Sequence, residues 1–279
     1  MTKRNGTRRV VVTGLGVVTP IGLNVSDFWS SMKEGKSGVS ELGGFPLDDL
    51  KILIAAQIKN FDPKVQLKNY KRDKIIMHAD RYSWFAAAAA EQAVVQSGIE
   101  FPLENPYRAA CIIGSGAGGL TTFENAYRDL FIHNKRATNP LTLLRIIGSS
   151  ASAHVGIEYG GKGPTFASCS ACWTATHAIG IARDYIENDL ADVAIAGASE
   201  SVINYGTMKA WQALHVLSPQ GCFPFAKKRN GTVLGEGAGV VVLEELEHAK
   251  RRGATILAEL VGYGMASDSQ DMVKPTVEG

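Results

Sequence analysis

An α/β fold with helices covering the faces of a sheet is what this sequence predicts, on three observations. Short apolar, β-branched runs recur along the chain, most of them end at glycine or serine, and helix-like patterns separate them. The first run is "RRVVVTGLG", read as a fully buried strand ending in glycines. "SDFWSSMKEG" follows as a helix, with Ser26 as its N-cap and Gly35 as its terminator. "ADRYSWFAAAAAEQAVVQSG" predicts a strong helix over about 80–96, rich enough in alanine to pack closely. "AACIIGSGAGG" is the next strand, running into a glycine loop. "PTFASCS" is a short strand, "CWTATHAIGIARDYIEND" a helix and "ADVAIAGASE" a buried strand. "AGVVVLEELEHAKRRGATILAELVGYG" closes the series as strand, short helix and strand.

Residues 42–72 and 121–140 show no regular pattern, and irregular stretches of that length usually carry function or bind partners. No short-period repeat, low-complexity segment or break in composition marks a linker, so residues 1–279 are expected to form one domain.

With 45% apolar residues the chain can bury a large core, and a formal charge of +2 supplies no general field for nucleic acid. The four cysteines, Cys111, Cys169, Cys172 and Cys222, form no small-domain disulfide framework, and "MTKRNGTRRVVVTG" holds no long apolar leader core. A reduced, cytoplasmic protein is the expectation. The longest apolar runs are broken within about 12 residues, short of the roughly 20 that a membrane helix needs, so no transmembrane segment is expected.

"FASCSACWTATHAIG" carries the chemistry, and three readings of its two cysteines compete. A zinc or redox CxxC needs a second ligand pair or a thioredoxin-like setting, and Cys111 with Cys222 offers no second CxxC. Two buried small residues would also suit a strand-to-helix junction. The third reading places Cys172 at a helix N-terminus. There the dipole and free N–H groups favour a thiolate and could hold the oxyanion of a thioester under attack. Cys169 is then expected to be buried in the strand behind. His177, five residues on, lies about 140° round the helix from Cys172, so it reads as a packed histidine and not as the base.

The segment "SACWTATHAIG" resembles the nucleophile motif of the β-ketoacyl-acyl-carrier-protein synthases of the thiolase superfamily, in which a histidine follows the active cysteine by five residues. "RRVVVTGLGVVTPIG", "GSGAGGL", "ADVAIAGASE", "GTVLGEGAGVVVLEELEHAKRRGA" and "ILAELVGYGMASD" resemble further segments of that family in the same order, from residue 8 to about 268. The likeness is closest to elongating type II ketosynthases, including the rhizobial nodulation enzymes. It implies a thiolase-like fold, the N-terminal βαβαβαββ half of a layered αβαβα architecture. It also implies that Cys172 accepts an acyl chain from an acyl carrier protein and that malonyl-carrier protein then condenses with it, losing CO₂, to give a 3-oxoacyl product. Trp173, Leu144 and Ile147 would line the acyl pocket, the last two across a dimer of like chains or of ketosynthase-like partners. No cofactor and no metal are implied.

In the family, two further histidines in His-Gly-Thr and Asn-His settings assist decarboxylation, together with a Gly-Phe-Gly-Gly loop. Here His78, His133, His154, His177, His215 and His248 stand in no such setting. The expectation is a fragment of a full ketosynthase, or a half that finds its complement elsewhere. A competing reading is a ketosynthase-like chain-length subunit that shapes a partner's acyl tunnel without condensing; such subunits usually lack the cysteine. A thiolase-type enzyme acting on coenzyme A thioesters is a third.

Three local departures stand out. "FPFAKKRNG" has Phe223 and Ala226 where the family shows an arginine and an aspartate, so an ion pair is expected to be lost. "SQDMVKP" stands where the family commonly reads Tyr-His-Met-Thr near the active site, so the resemblance implies that Asp271 and Lys274 bring charge near the pocket, and Trp173 is bulkier than the family's small residue.

"VTGLGVVTP" begins like a dinucleotide fingerprint, but Thr19 stands in place of the third glycine. "GSGAGG" lacks a P-loop lysine and reads as a tight turn near the active site. "KVQLKNYKRDK" sets five basic residues against one acidic. It is either a solvated face or a dock for the acidic carrier through Lys64, Lys68, Lys71 and Arg72. It lacks the interleaved aromatics of a single-strand nucleic-acid site. Leu141, Leu144 and Ile147 form an apolar stripe, expected in the core or at a dimer interface.

Overall fold

The computed structural model describes residues 8–67, 69–70, 76–271 and 276–277. Its centre is a six-stranded mixed sheet in the order β5-β4-β6-β7-β1-β8. The strands are β1 (Val10–Val18), β4 (Ala109–Gly114), β5 (Thr165–Phe166), β6 (Val193–Glu200), β7 (Gly237–Glu245) and β8 (Ala258–Glu259); β2 (Ser40–Glu41) and β3 (Ile54–Ala55) pair apart from it. Strands β5, β4 and β6 are mutually parallel. β7 lies antiparallel between β6 and β1, so β1 points the same way as β6.

The helices are α1 (Val25–Lys33), α2 (Pro63–Gln66), α3 (Arg81–Ser97), α4 (Leu120–Phe131), α5 (Thr142–Ile146), α6 (Ser150–Tyr159), α7 (Thr174–Glu187), α8 (Tyr205–Ala213) and α9 (Leu246–Arg251). On one face of the sheet, Phe85, Ala86 and Ala93 of α3 pack with Ile113, Ile195 and Val240. On the other, Ala178, Ala182 and Ile186 of α7 pack with Ile112, Ala194 and Leu243. Adjacent residues of β6, Val193 and Ala194, therefore enter different cores, which is why the strand is apolar at successive positions. Helices on both faces give the α/β layering that the sequence predicts.

The closest packing lies between β1 and α3. A Cβ added to Gly14 would sit 1.9 Å from the Ala93 carbonyl oxygen, and one added to Gly16 1.8 Å from that of Ala89. The glycines expected to end this strand lie inside it, and the strand continues to Val18. They form no dinucleotide turn; they let an alanine-faced helix lie against the backbone. Gln92 reinforces the contact by donating to the carbonyls of Val17 and Leu23, at 3.1 and 2.8 Å.

Helix α3 matches the expected 80–96 to one residue, with Asp80 as N-cap and Gly98, at φ +65°, closing its C-terminus. Helix α1 is capped by Asn24, which accepts from Asp27 N at 2.9 Å, and not by Ser26; Gly35 follows its end at φ +67°. Residues 121–131, in the stretch 121–140 expected to be irregular, are helical as part of α4. Its apolar face carries Phe123, Tyr127 and Phe131 in a ladder with ring centroids 4.5 and 5.6 Å apart. The segment 42–55 is largely irregular, as expected, and buries Leu42, Leu50 and Ala55 against Ile203 and Met208.

Wholly buried Glu244 of β7 accepts from Thr13 Oγ1 and from both Nε and an Nη of Arg252, and its Oε2 lies 2.9 Å from His248 Nδ1. Burial works to raise its carboxyl pKa. The hydrogen bonds outweigh burial and bring it down to about 2.

Candidate functional site

The parallel strands β1, β4 and β6 all end along one edge of the sheet, where a doubly covered sheet offers a crevice. The chain leaves β5 through residues 167–170 and turns at Ala171 into a 3-10 turn, Ala171–Trp173, that leads directly into α7. Ala171 has φ +49°, a left-handed conformation that costs a non-glycine residue about 1–2 kcal/mol. It is held from upstream: Ser170 N donates to Thr174 Oγ1 at 2.9 Å, and Ser170 Oγ shares a 2.6 Å hydrogen bond with His177 Nδ1.

Cys172 is carried by this turn and lines a cavity of about 690 Å³. The opposite walls come from Ser115 and Gly116 after β4, Ala198 and Glu200 at the end of β6, Gly237 at the start of β7 and Trp211 of α8. Small and apolar groups dominate the lining. Among the described residues, the one charged residue in the lining is Glu200, which accepts from Ser115 Oγ at 3.0 Å and from Gly116 N at 2.8 Å. Burial pushes its carboxyl pKa above the ordinary value, against the pull of those hydrogen bonds.

The glycine loop of "GSGAGG" reaches this cavity through Ser115, Gly116 and Ala117, as a turn beside the site whose Gly116 N–H is taken by Glu200. His177 is half-buried at the second turn of α7, edge-on to Tyr263, with its Nδ1 committed to Ser170. No histidine is among the residues lining the cavity.

Cys169, expected to be buried, is exposed, with its Sγ 3.5 Å from the Gly116 carbonyl oxygen: the strand β5 stops at Phe166, so the residues after it run along the rim. Among the described residues no group of His, Cys, Asp and Glu could hold a metal ion, and all four cysteines are free. Trp173 is 68% exposed and is not among the residues lining the cavity. Leu144 (59%) and Ile147 (42%) also stand outside it, on an exposed apolar patch with Leu141 and Leu143. The core alternative for that stripe is thereby corrected: α5 is a short surface helix with no buried residue, and Leu141, Leu144 and Ile147 on and beside it are exposed.

Lys64 is exposed on α2; Lys68, Lys71 and Arg72 lie outside the described residues, as does Lys274. Where the family's arginine and aspartate would pair, Lys228 Nζ sits 4.7 Å from the centre of the Phe223 ring, so a cation–π contact stands in that place.

The sequence reading missed Glu200, Ser115 and Trp211. Its available signal was a lone carboxylate closing an otherwise apolar strand, "ADVAIAGASE".

A family model described as "Beta-ketoacyl synthase, N-terminal domain" matches residues 7–249. Nodulation protein E of Rhizobium leguminosarum bv. trifolii is 39% identical over 272 residues, covering 98% of this chain and 67% of that protein. 3-Oxoacyl-[acyl-carrier-protein] synthase 2 of Coxiella burnetii (strain RSA 493 / Nine Mile phase I) is 40% identical over 277 residues, 97% of this chain and 66% of that protein. Among solved structures, a type II PKS acyl-carrier protein in complex with its ketosynthase bound to the hexaketide aligns with a TM-score of 0.79 at 31% identity, over 92% of this chain and 62% of that one. The chain thus spans about two thirds of the length of the relatives it matches.

Proposed function

The chain belongs to the β-ketoacyl synthase family, and from that premise we propose that it serves 3-oxoacyl-[acyl-carrier-protein] synthesis with Cys172 as the acyl acceptor. One observation carries the reading: Cys172 stands on a strained turn at the start of α7 and faces a largely apolar cavity. The Cys172 thiolate attacks the thioester carbonyl of an acyl-carrier protein. The developing oxyanion is met by N–H groups of the turn, the C–S bond to the carrier breaks, and the carrier thiol leaves with a proton. The acyl chain then lies in the cavity as a thioester of Cys172. Malonyl-carrier protein loses CO₂, its carbanion attacks this thioester, and Cys172 departs as thiolate while a 3-oxoacyl-carrier product forms.

The decarboxylation step calls for the family's two histidines. Among the described residues no histidine lines the cavity, so in this reading its walls serve the acyl-accepting step.

The partner in this reading is an acidic acyl carrier protein, met by Lys64 with Lys68, Lys71 and Arg72. Charge complementarity would steer and orient that encounter. A second ketosynthase-like chain, identical or not, would cover the exposed patch of Leu141, Leu143, Leu144 and Ile147. That is also how Leu144 and Ile147 could help to line an acyl pocket.

Incubating the full-length protein with acyl-carrier protein and mapping adducts by mass spectrometry tests the assignment. The acyl mass is expected on the Cys172 peptide, and Cys172→Ala should abolish both adduct and condensation, a loss of about 10³-fold or more. A Cys172→Ala protein that keeps full activity within its complex would replace this reading with that of a chain-length subunit. Adduct formation from acyl-coenzyme A alone would point to a thiolase-type reaction.

A further inference from the structure

We propose that Glu200 is the positioning residue of the nucleophile turn: its carboxylate clamps the loop 115–119 against Ala171 and so fixes where Cys172 presents its thiol. The inference rests on Cys172 being the reactive thiol.

Glu200 is an unusual group for its place. It closes an apolar strand, faces an apolar cavity, and among the described residues no lysine, arginine or histidine forms an ion pair with it. Burying a carboxylate without a cation is costly unless hydrogen bonds take over the role of water. Here they do so, from Ser115, Gly116 and Ala117 of the loop together with the backbone of Ser201. Ser115 Oγ donates to Oε1 and Gly116 N to Oε2, while Ser115 Oγ in turn accepts from Gly118 N at 2.8 Å. One carboxylate therefore organises the backbone from 115 to 118, through charge-assisted bonds stronger than neutral ones.

That loop is wedged between the carboxylate and the turn. A Cβ added to Gly116 would lie 2.9 Å from Glu200 Oε2 on one side and 3.6 Å from Ala171 Cα on the other. The Gly116 carbonyl oxygen meets Cys169 Sγ, so the same residue borders the segment at Cys169 and at its bend, Ala171. A strained non-glycine residue persists only where its surroundings over-determine it. Ser170 is tied on the outer side by Thr174 and His177, and the Gly116 backbone blocks the inner side. With the carboxylate gone the loop can withdraw, Ala171 can relax out of its positive φ, and Cys172 leaves the cavity wall.

The test is a ratio read within one chain. The full-length protein is alkylated with a limiting amount of iodoacetamide, and the rate at Cys172 is compared with that at exposed Cys222, while buried Cys111 reports on the fold. In Glu200→Leu the Cys172:Cys222 ratio is expected to fall about tenfold or more, since misplacing a positioned group by an ångström can cost up to about 10²-fold, with Cys111 still protected. Glu200→Gln keeps an oxygen for Gly116 N and an amide donor for Ser115. It is expected to restore the ratio to within about threefold of wild type, which general destabilisation would not do. An unchanged ratio in Glu200→Leu with Cys111 protected would overturn the proposal. If Cys111 reacts in that variant, Ser115→Ala, which deletes only one of the two anchoring bonds, decides: a fall in the ratio supports the clamp and no change refutes it. Because alkylation reads thiol position without condensation, the expected ratios together with no acyl transfer to Cys172 in the wild-type protein would sink the assigned activity and leave the clamp standing.

Discussion

Ala171, Glu200 and Glu244 show how single residues are set by neighbours far away in sequence. The strain at Ala171 is balanced by Ser170, bonded within its own segment, and by Gly116, which lies 55 positions earlier in the chain. Glu244 and Glu200 are both shielded carboxylates, yet their acid–base behaviour diverges because only Glu244 faces an arginine. Its folded-state carboxyl titrates at about 2 against an ordinary 4.5. A depressed carboxyl stabilises the fold above its ordinary value, and that contribution is lost as pH falls from 4.5 through 2. Urea unfolding across this range should show the loss, on the order of 3 kcal/mol. Glu244→Gln is expected to flatten that acid limb and to be less stable at pH 7; an unchanged limb would mean that other carboxylates carry it.

Between elements, the decisive contact is β1 on α3. An extra methyl at Gly16 would meet a main-chain carbonyl at 1.8 Å, and neither a buried strand nor a buried helix can give way there. Gly16→Ala should therefore lower unfolding free energy by about 3 kcal/mol, while Gly43→Ala, which meets nothing within 4 Å, should change it by less than about 1 kcal/mol. Equal effects in denaturant titrations would argue against the packing account. Helix α3 was legible because its cap, alanine run and terminal glycine all agree. Helix α4 was not, since it lacks a side-chain cap and its aromatic ladder faces outward, where no core periodicity is enforced by this chain.

At the scale of the whole molecule, one group of uncovered apolar side chains lies on α4 and α5, where Phe131, Leu143 and Leu144 are each more than half exposed. Patches of this kind mark contact surfaces. Leu144→Asp is expected to shift the full-length protein toward a smaller species in native mass measurements, with its circular dichroism unchanged; an unaltered mass distribution would remove α5 from the contact. Among the described residues no helix is long and apolar enough to cross a membrane. The sequence by itself determined the α/β alternation, both core faces, and Cys172 at a strand-to-helix junction, because periodicity, capping and β-branching are written locally. Only the tertiary structure decided that the glycines of β1 serve packing, that Cys169 lies on the rim, and that Glu200 and the 115–119 loop converge on the Cys172 turn. Those relations depend on strands β4, β5 and β6 ending side by side, and parallel pairing joins segments whose separation in the chain no local pattern records.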